Sequence, residues 1–198
     1  MRDVHVLRRS SSILRIARAQ PARRAAVVLP VVAHMIAPDP IIVVVGCGNP
    51  NRQDDGVGQQ VIQTLKGKQL DGMDVRLLDA GTDGMAVMFS ARGCSSLIVV
   101  DAAQTGVEPG AIYEVPGAEL ERPYSPGLNL HDFRWDAALH AGRQIFRDAF
   151  PSDVTVFLIE AAELGFGVGL TPAVSRAADK VACRIEALIE ERRSKDVM

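Results

Sequence analysis

The chain is poor in cysteine and in aromatic residues: three cysteines, one tryptophan, two tyrosines and six phenylalanines in 198 residues. Cys47, Cys94 and Cys183 cannot all pair, and they show neither CxxC nor Cys/His ligand spacing. That excludes a disulfide framework and a structural zinc site, and the thiols read as the reduced ones of a cytoplasmic protein. A formal net charge of −2 gives no electrostatic reason to expect a nucleic acid partner. No apolar run is long enough to span a membrane, since the best one, residues 25–36, is short and broken by Pro30 and His34. There is no GK[ST] phosphate loop, no GxSxG elbow, no HExxH helix and no internal repeat, so the familiar P-loop, serine and zincin chemistries drop out. What is left, 47% hydrophobic and 23% charged residues, suits one α/β domain with a substantial core.

Against those absences, the residues from Ile41 to Gly58 stand out. Five consecutive β-branched residues, Ile41 to Val45, fit a parallel strand covered on both faces, because a half-exposed strand would alternate apolar with polar. Gly46-Cys47-Gly48-Asn49-Pro50 then allows positive φ or close backbone approach and stops the strand, and the loop ends in the adjacent carboxylates Asp54 and Asp55. A dinucleotide fingerprint fails here, since its third glycine would fall at Asn51. One aspartate suffices to cap a helix opening near Gly56; two neighbouring charges repel and call for a further role. Cys47, wedged between strand end and turn, reads as small apolar filler rather than a nucleophile.

Further along, strand and helix patterns alternate. Val57, Val61, Ile62 and Leu65 share one helical face, residues 75–78 form a strand that delivers Asp79, and residues 84–91 a short helix. Residues 96–100 form a buried strand that delivers Asp101, and 111–115 a strand expected to be antiparallel, because the short link 106–110 has no room for a crossover helix. A helix beginning near His131 should carry Leu139, Ile145 and Phe146 inward; residues 154–159 form the last central strand. Thr171-Pro172 opens a terminal helix with Val174, Ala178, Val181, Ile185 and Leu188 on one face. This order implies a single-domain α/β three-layer sandwich: a mostly parallel, twisted sheet of about five strands, one of them antiparallel, with helices on both faces. In such a sheet Asp55, Asp79 and Asp101 gather at the carboxyl edge, where open α/β sheets place their sites.

Gly46-x-Gly48-Asn49-Pro50-x4-Asp55-Gly56-x-Gly58 resembles the opening of the nickel–iron hydrogenase maturation endopeptidases, which trim the C-terminal tail from a hydrogenase large-subunit precursor once nickel is in place. Asp79-Ala80-Gly81-Thr82-Asp83-Gly84 resembles the family's DGGTxG element, with alanine in place of a glycine, and residues 97–102 resemble its third strand. Gly106-x-x-Pro109-Gly110, His131 and Gly169-Leu170-Thr171-Pro172 follow in the family's order, so the likeness spans residues 41–189. It departs at Glu160-Ala161, where a proline commonly follows the acid. The resemblance implies an endopeptidase acting on the large-subunit precursor, with the metal-recognising residues on Asp55, Asp79 and His131. Asp54 becomes a helix cap or supporting acid, and Asp101 orients the loops, direct ligation being its alternative. Two carboxylates and an imidazole suit Ni²⁺, with Cd²⁺ or Zn²⁺ as substitutes, better than Mg²⁺. The nickel is expected to arrive inside the precursor, to polarise the scissile carbonyl or activate a water, with Asp54 or Asp79 taking a proton.

Residues 1–40 differ in kind. They hold seven arginines and no lysine against Asp3 and Asp39, a formal charge of +5, whereas the rest of the chain carries −7. Their arginine, serine and alanine content resembles a transit segment, but the plainest reading is a dispensable extension ahead of a start at Met35. The expected organisation is therefore an extension over 1–40, the protease-like domain over 41–190 and a charged tail over 191–198, in a monomeric cytoplasmic protein. Two other functions stay open. Gly48-Asn49-Pro50 after a first strand also resembles peptidyl-tRNA hydrolases, although Gln53-Asp54-Asp55 is acidic where phosphate would approach. A non-catalytic chaperone that binds nickel or the precursor would share the same residues.

Overall fold

In a computed structural model of the chain, residues 42–72, 74–123 and 133–195 are described. They form β1 (Ile42–Cys47), α1 (Val57–Gly67), β2 (Val75–Gly81), α2 (Gly84–Ser90), β3 (Ser96–Ala103), β4 (Ile112–Pro116), α3 (Trp135–Phe146), β5 (Asp153–Glu160) and α4 (Pro172–Lys195). The sheet runs β2-β1-β3-β5-β4, parallel throughout except for the β4–β5 pair. The expected mostly parallel three-layer sandwich is the fold observed.

Every residue of β1 is buried, which explains its unbroken apolar run. Ile42 and Val44 join Ile98 and Phe157 in the cluster covered by α1 and α4, while Val43 and Val45 join Val99 and Val156 in the cluster covered by α2 and α3. Alternate residues of one strand thus serve two cores. The close seating of α1 on β1 depends on glycine: a Cβ on Gly58 would lie 2.3 Å from the carbonyl oxygen of Cys47, and one on Gly46 2.3 Å from that of Gly58.

β4 is antiparallel as expected; although it follows β3 directly in sequence, its partner is β5, which inserts between them. Three expectations need correcting. The third helix starts at Trp135, while the expected start at His131 falls in residues 124–132, outside the described ones. Trp135, Ala138 and Leu139 face inward and Phe146 packs on the same cluster as expected, but Ile145 is 61% exposed, since it lies to one side of that stripe. Finally, α4 continues to Lys195 rather than ending in a charged tail at 191. Arg192 is buried against Asp153 at 2.8 Å, and Arg193 pairs with Asp74 at 2.6 Å, so these charges belong to the domain.

The strand order places β1 between β2 and β3, so the direction of winding reverses between β1 and β3. Crevices open at that point, beyond the carboxyl ends of the strands.

Candidate active site

The loop after β1 makes one wall of this crevice. Gly48 adopts φ 112°, and a Cβ there would meet the carbonyl oxygen of Asp55 at 1.8 Å and Oδ1 of Asp101 at 3.5 Å, so only glycine lets the two acidic segments close around it. A short 3-10 turn, Gln53–Gly56, then delivers both aspartates. Their surroundings differ completely. Asp55 is half-buried at the edge of a cleft of about 450 Å³ that Cys47, Asn49, Gln104, Arg134 and Leu164 also line. Its Oδ2 accepts the Asn49 backbone N–H at 2.9 Å, and Oδ1 has no hydrogen-bond donor among the described residues.

Asp54 is fully buried and points away from the cleft. Its Oδ2 accepts from the backbone N–H groups of Ala162 and Glu163 (2.9 and 3.0 Å) and from the Thr171 hydroxyl (3.0 Å); its Oδ1 accepts from the Thr171 N–H at 2.7 Å. It caps no helix: α1 begins behind Gly56 without a side-chain cap bond. The expected cap is instead a clasp on residues 161–171, and the partners that make it so lie more than a hundred positions away in sequence. The carboxylate that does cap a helix is Asp83, whose Oδ1 accepts from Met85 and Ala86 N–H groups at the start of α2.

Asp101 lies at the end of β3 with 1% exposure, its Oδ2 accepting from Arg134 Nη2 (2.9 Å) and Trp135 Nε1 (2.7 Å) and its Oδ1 from the Ala102 N–H (2.9 Å). Burial pushes its carboxyl above the usual carboxylate range, Trp135 and Arg134 pull it back only in part, and the charge of Asp55 adds to the rise. Asp79 is engaged elsewhere: Oδ2 accepts from Gln59 Nε2 of α1 at 2.6 Å and Oδ1 from the Gly81 N–H at 3.1 Å. The acids do gather at one sheet edge, where Gly48 sits against the Asp55 backbone carbonyl and near Oδ1 of Asp101. Cys47 behaves as expected of filler: burial raises its thiol well above the usual range, with the charge of Asp101 adding to it.

Sequence reasoning passed over Arg134 and Trp135, and noted Glu160 only as the acid of the family pattern, with no role. The single tryptophan next to an arginine at a helix start was the available signal for the first two, and their partner on another strand was not visible. Glu160, ending β5, accepts from Thr105 and Gly106 N–H groups, each at 2.7 Å, and from the Thr105 hydroxyl at 2.8 Å, steadying the loop behind Gln104. Burial raises its carboxyl, but these hydrogen bonds outweigh that and leave it below the usual range.

Among the described residues no three His, Cys, Asp or Glu side chains lie close enough together to hold an ion. Asp55, with an oxygen open to the cleft, fits a ligand role; Asp79 would have to leave Gln59, and His131 lies outside the described residues.

Comparison with known proteins bears on the family and the fold. The hydrogenase maturation protease (HycI) family model matches residues 59–188. The delta subunit of coenzyme F420 hydrogenase from Methanothermobacter thermautotrophicus is 31% identical over 161 residues, covering 77% of this chain and 95% of that one. The hydrogenase 2 maturation protease of Escherichia coli is 25% identical over 151 residues, covering 76% and 91%. The hydrogenase maturating endopeptidase HybD from E. coli superposes with a TM-score of 0.63 at 26% identity, covering 76% of this chain and 92% of that one. The chain belongs to the hydrogenase maturation protease family. That membership leaves the peptidyl-tRNA hydrolase reading without support.

Proposed function

We propose that the chain is an endopeptidase that removes the C-terminal peptide of a nickel–iron hydrogenase large-subunit precursor after nickel insertion. The observation that carries this reading is the half-open carboxylate of Asp55 in a cleft at the β1/β3 switch point of a chain of this family. Nickel here is part of the substrate. Asp55 and His131 recognise it, with Asp79 as the second acid once it leaves Gln59; Asp101, whose two oxygens already take three donors, orients the loops, direct ligation being its alternative. An ion so placed would polarise the scissile carbonyl. This chain's own residues then position and screen: Arg134 neutralises Asp101 beneath the cleft, and Gly48 keeps the two acidic segments close. Asp54, clasped by four donors and turned away, supports a wall of the cleft and is no proton acceptor for the reaction.

The test is to incubate the full chain with a nickel-loaded large-subunit precursor and weigh the products by mass spectrometry. Loss of one C-terminal peptide is expected; binding without a mass change would mean a non-catalytic chaperone. Asp55→Asn should lose nearly all cleavage with an unchanged circular-dichroism melt, since a neutral amide is a poor transition-ion ligand. Nickel binding by Asp79→Asn and Asp101→Asn, measured with the precursor present, decides which acid is the second ligand.

A further inference from the structure

The segment between β5 and α4, residues 161–171, is fastened to the active-site loop along its whole length. Asp54 grips both of its ends, Ala162 and Glu163 at one and Thr171 at the other. Between them, the Asp54 N–H donates to the Glu163 carbonyl at 3.2 Å, the Gln53 N–H to that of Gly167 at 3.0 Å, and the Gly167 N–H to that of Asn51 at 3.0 Å. Arg52 adds Nε and Nη2 donated to the Leu164 carbonyl at 3.2 and 3.0 Å. A Cβ on Gly167 would press on Gln53 Cγ at 2.9 Å, so this docking leaves no slack.

A segment held so firmly could have turned its apolar side chains inward. It does the opposite at its middle, where Phe166 is 95% and Val168 88% exposed, while Leu164, two residues earlier, forms part of the cleft wall beside Asp55. Single exposed apolar residues are ordinary on a protein surface. Two of them on a loop rigidly joined to the cleft rim form a preorganised contact, because ordering the loop costs nothing further on binding.

We propose that residues 161–171 are the substrate-docking loop, with Phe166 and Val168 receiving apolar side chains of the large-subunit precursor next to the bond to be cut. This rests on the endopeptidase reading above. The occupant is a polypeptide because the same hydrogen-bonded loop that carries Phe166 and Val168 also supplies Leu164 to the wall of the cleft into which the scissile segment must pass. Asp54 is then a positioning residue: it fixes the loop relative to Asp55, its neighbour in the chain.

Steady-state cleavage of nickel-loaded precursor by Phe166→Ser/Val168→Ser tests this. Moving both apolar contacts back into water should raise KM by at least about tenfold with kcat within about twofold. Phe166→Leu, with Val168 retained, should restore most of the loss. The melting temperature should not move, since neither side chain packs on the domain. Unchanged KM with active wild type overturns the docking loop and leaves the endopeptidase reading standing; wild type that neither binds nor cuts the precursor overturns both. If size-exclusion chromatography shows a wild-type dimer that the double variant dissociates, the loop is a contact between copies of this chain and the proposal fails.

Discussion

Asp54 and Asp55 are one position apart and chemically identical, yet their environments assign them opposite work. Asp55 keeps one carboxylate oxygen facing the cleft, whereas both oxygens of Asp54 are filled by donors from residues 162–171. Had Asp54 been a helix cap, asparagine would replace it at little cost. As a clasp it tolerates no amide, because every partner on both oxygens donates, and an NH₂ group placed on either side would face N–H groups. Asp54→Asn should therefore destabilise the fold by about 2–4 kcal/mol, read by chemical denaturation, through unmet buried donors. A loss under about 0.5 kcal/mol would mean that the clasp adds nothing to the stability of the fold. The sequence shows the pair of acids but not this division, since the donors come from a segment more than a hundred residues distant.

At the scale of elements, the join between β1 and α1 controls the site. The helix approaches the strand closely enough that the Cβ of an alanine at position 58 would overlap the Cys47 carbonyl at 2.3 Å and the Cys47 nitrogen at 2.5 Å, both backbone atoms that cannot rotate aside. Gly58→Ala should cost about 3 kcal/mol or more of stability in thermal or urea unfolding, and it should displace Asp55 from the cleft rim, lowering precursor cleavage further than the stability loss explains. A variant with wild-type melting behaviour would mean that α1 can slide on β1. The periodicity of α1 was legible residue by residue, as were its start after Asp55 and the burial of Val57, Val61, Ile62 and Leu65. The third helix was read less well, because apolar character alone does not tell which side of the axis meets the core; Ile145 lies to one side of the stripe that Phe146 continues.

For the whole molecule, the two layers of helix on one sheet make a domain that needs little from outside it. No helix among the described residues is long and apolar enough to cross a membrane. Residues 1–34 hold seven of the chain's arginines, and the sequence reads them as a dispensable extension of the domain. A chain shortened to begin at Met35 should therefore keep its melting temperature; docking of the segment worth about 1 kcal/mol would lower it by about 2–4 °C on removal, and would overturn the reading. The linear sequence by itself determined the strand and helix order, the sandwich and the edge at which the acids gather, because these follow from short-range periodicity and from the handedness of parallel connections. It left undecided where β5 sits, which acid side chain comes near Gly48, and what Asp54 holds. Only the tertiary structure decided those, since each depends on contacts between segments brought together by closing the sheet, and no local pattern encodes the partner of a hydrogen bond that spans half the chain.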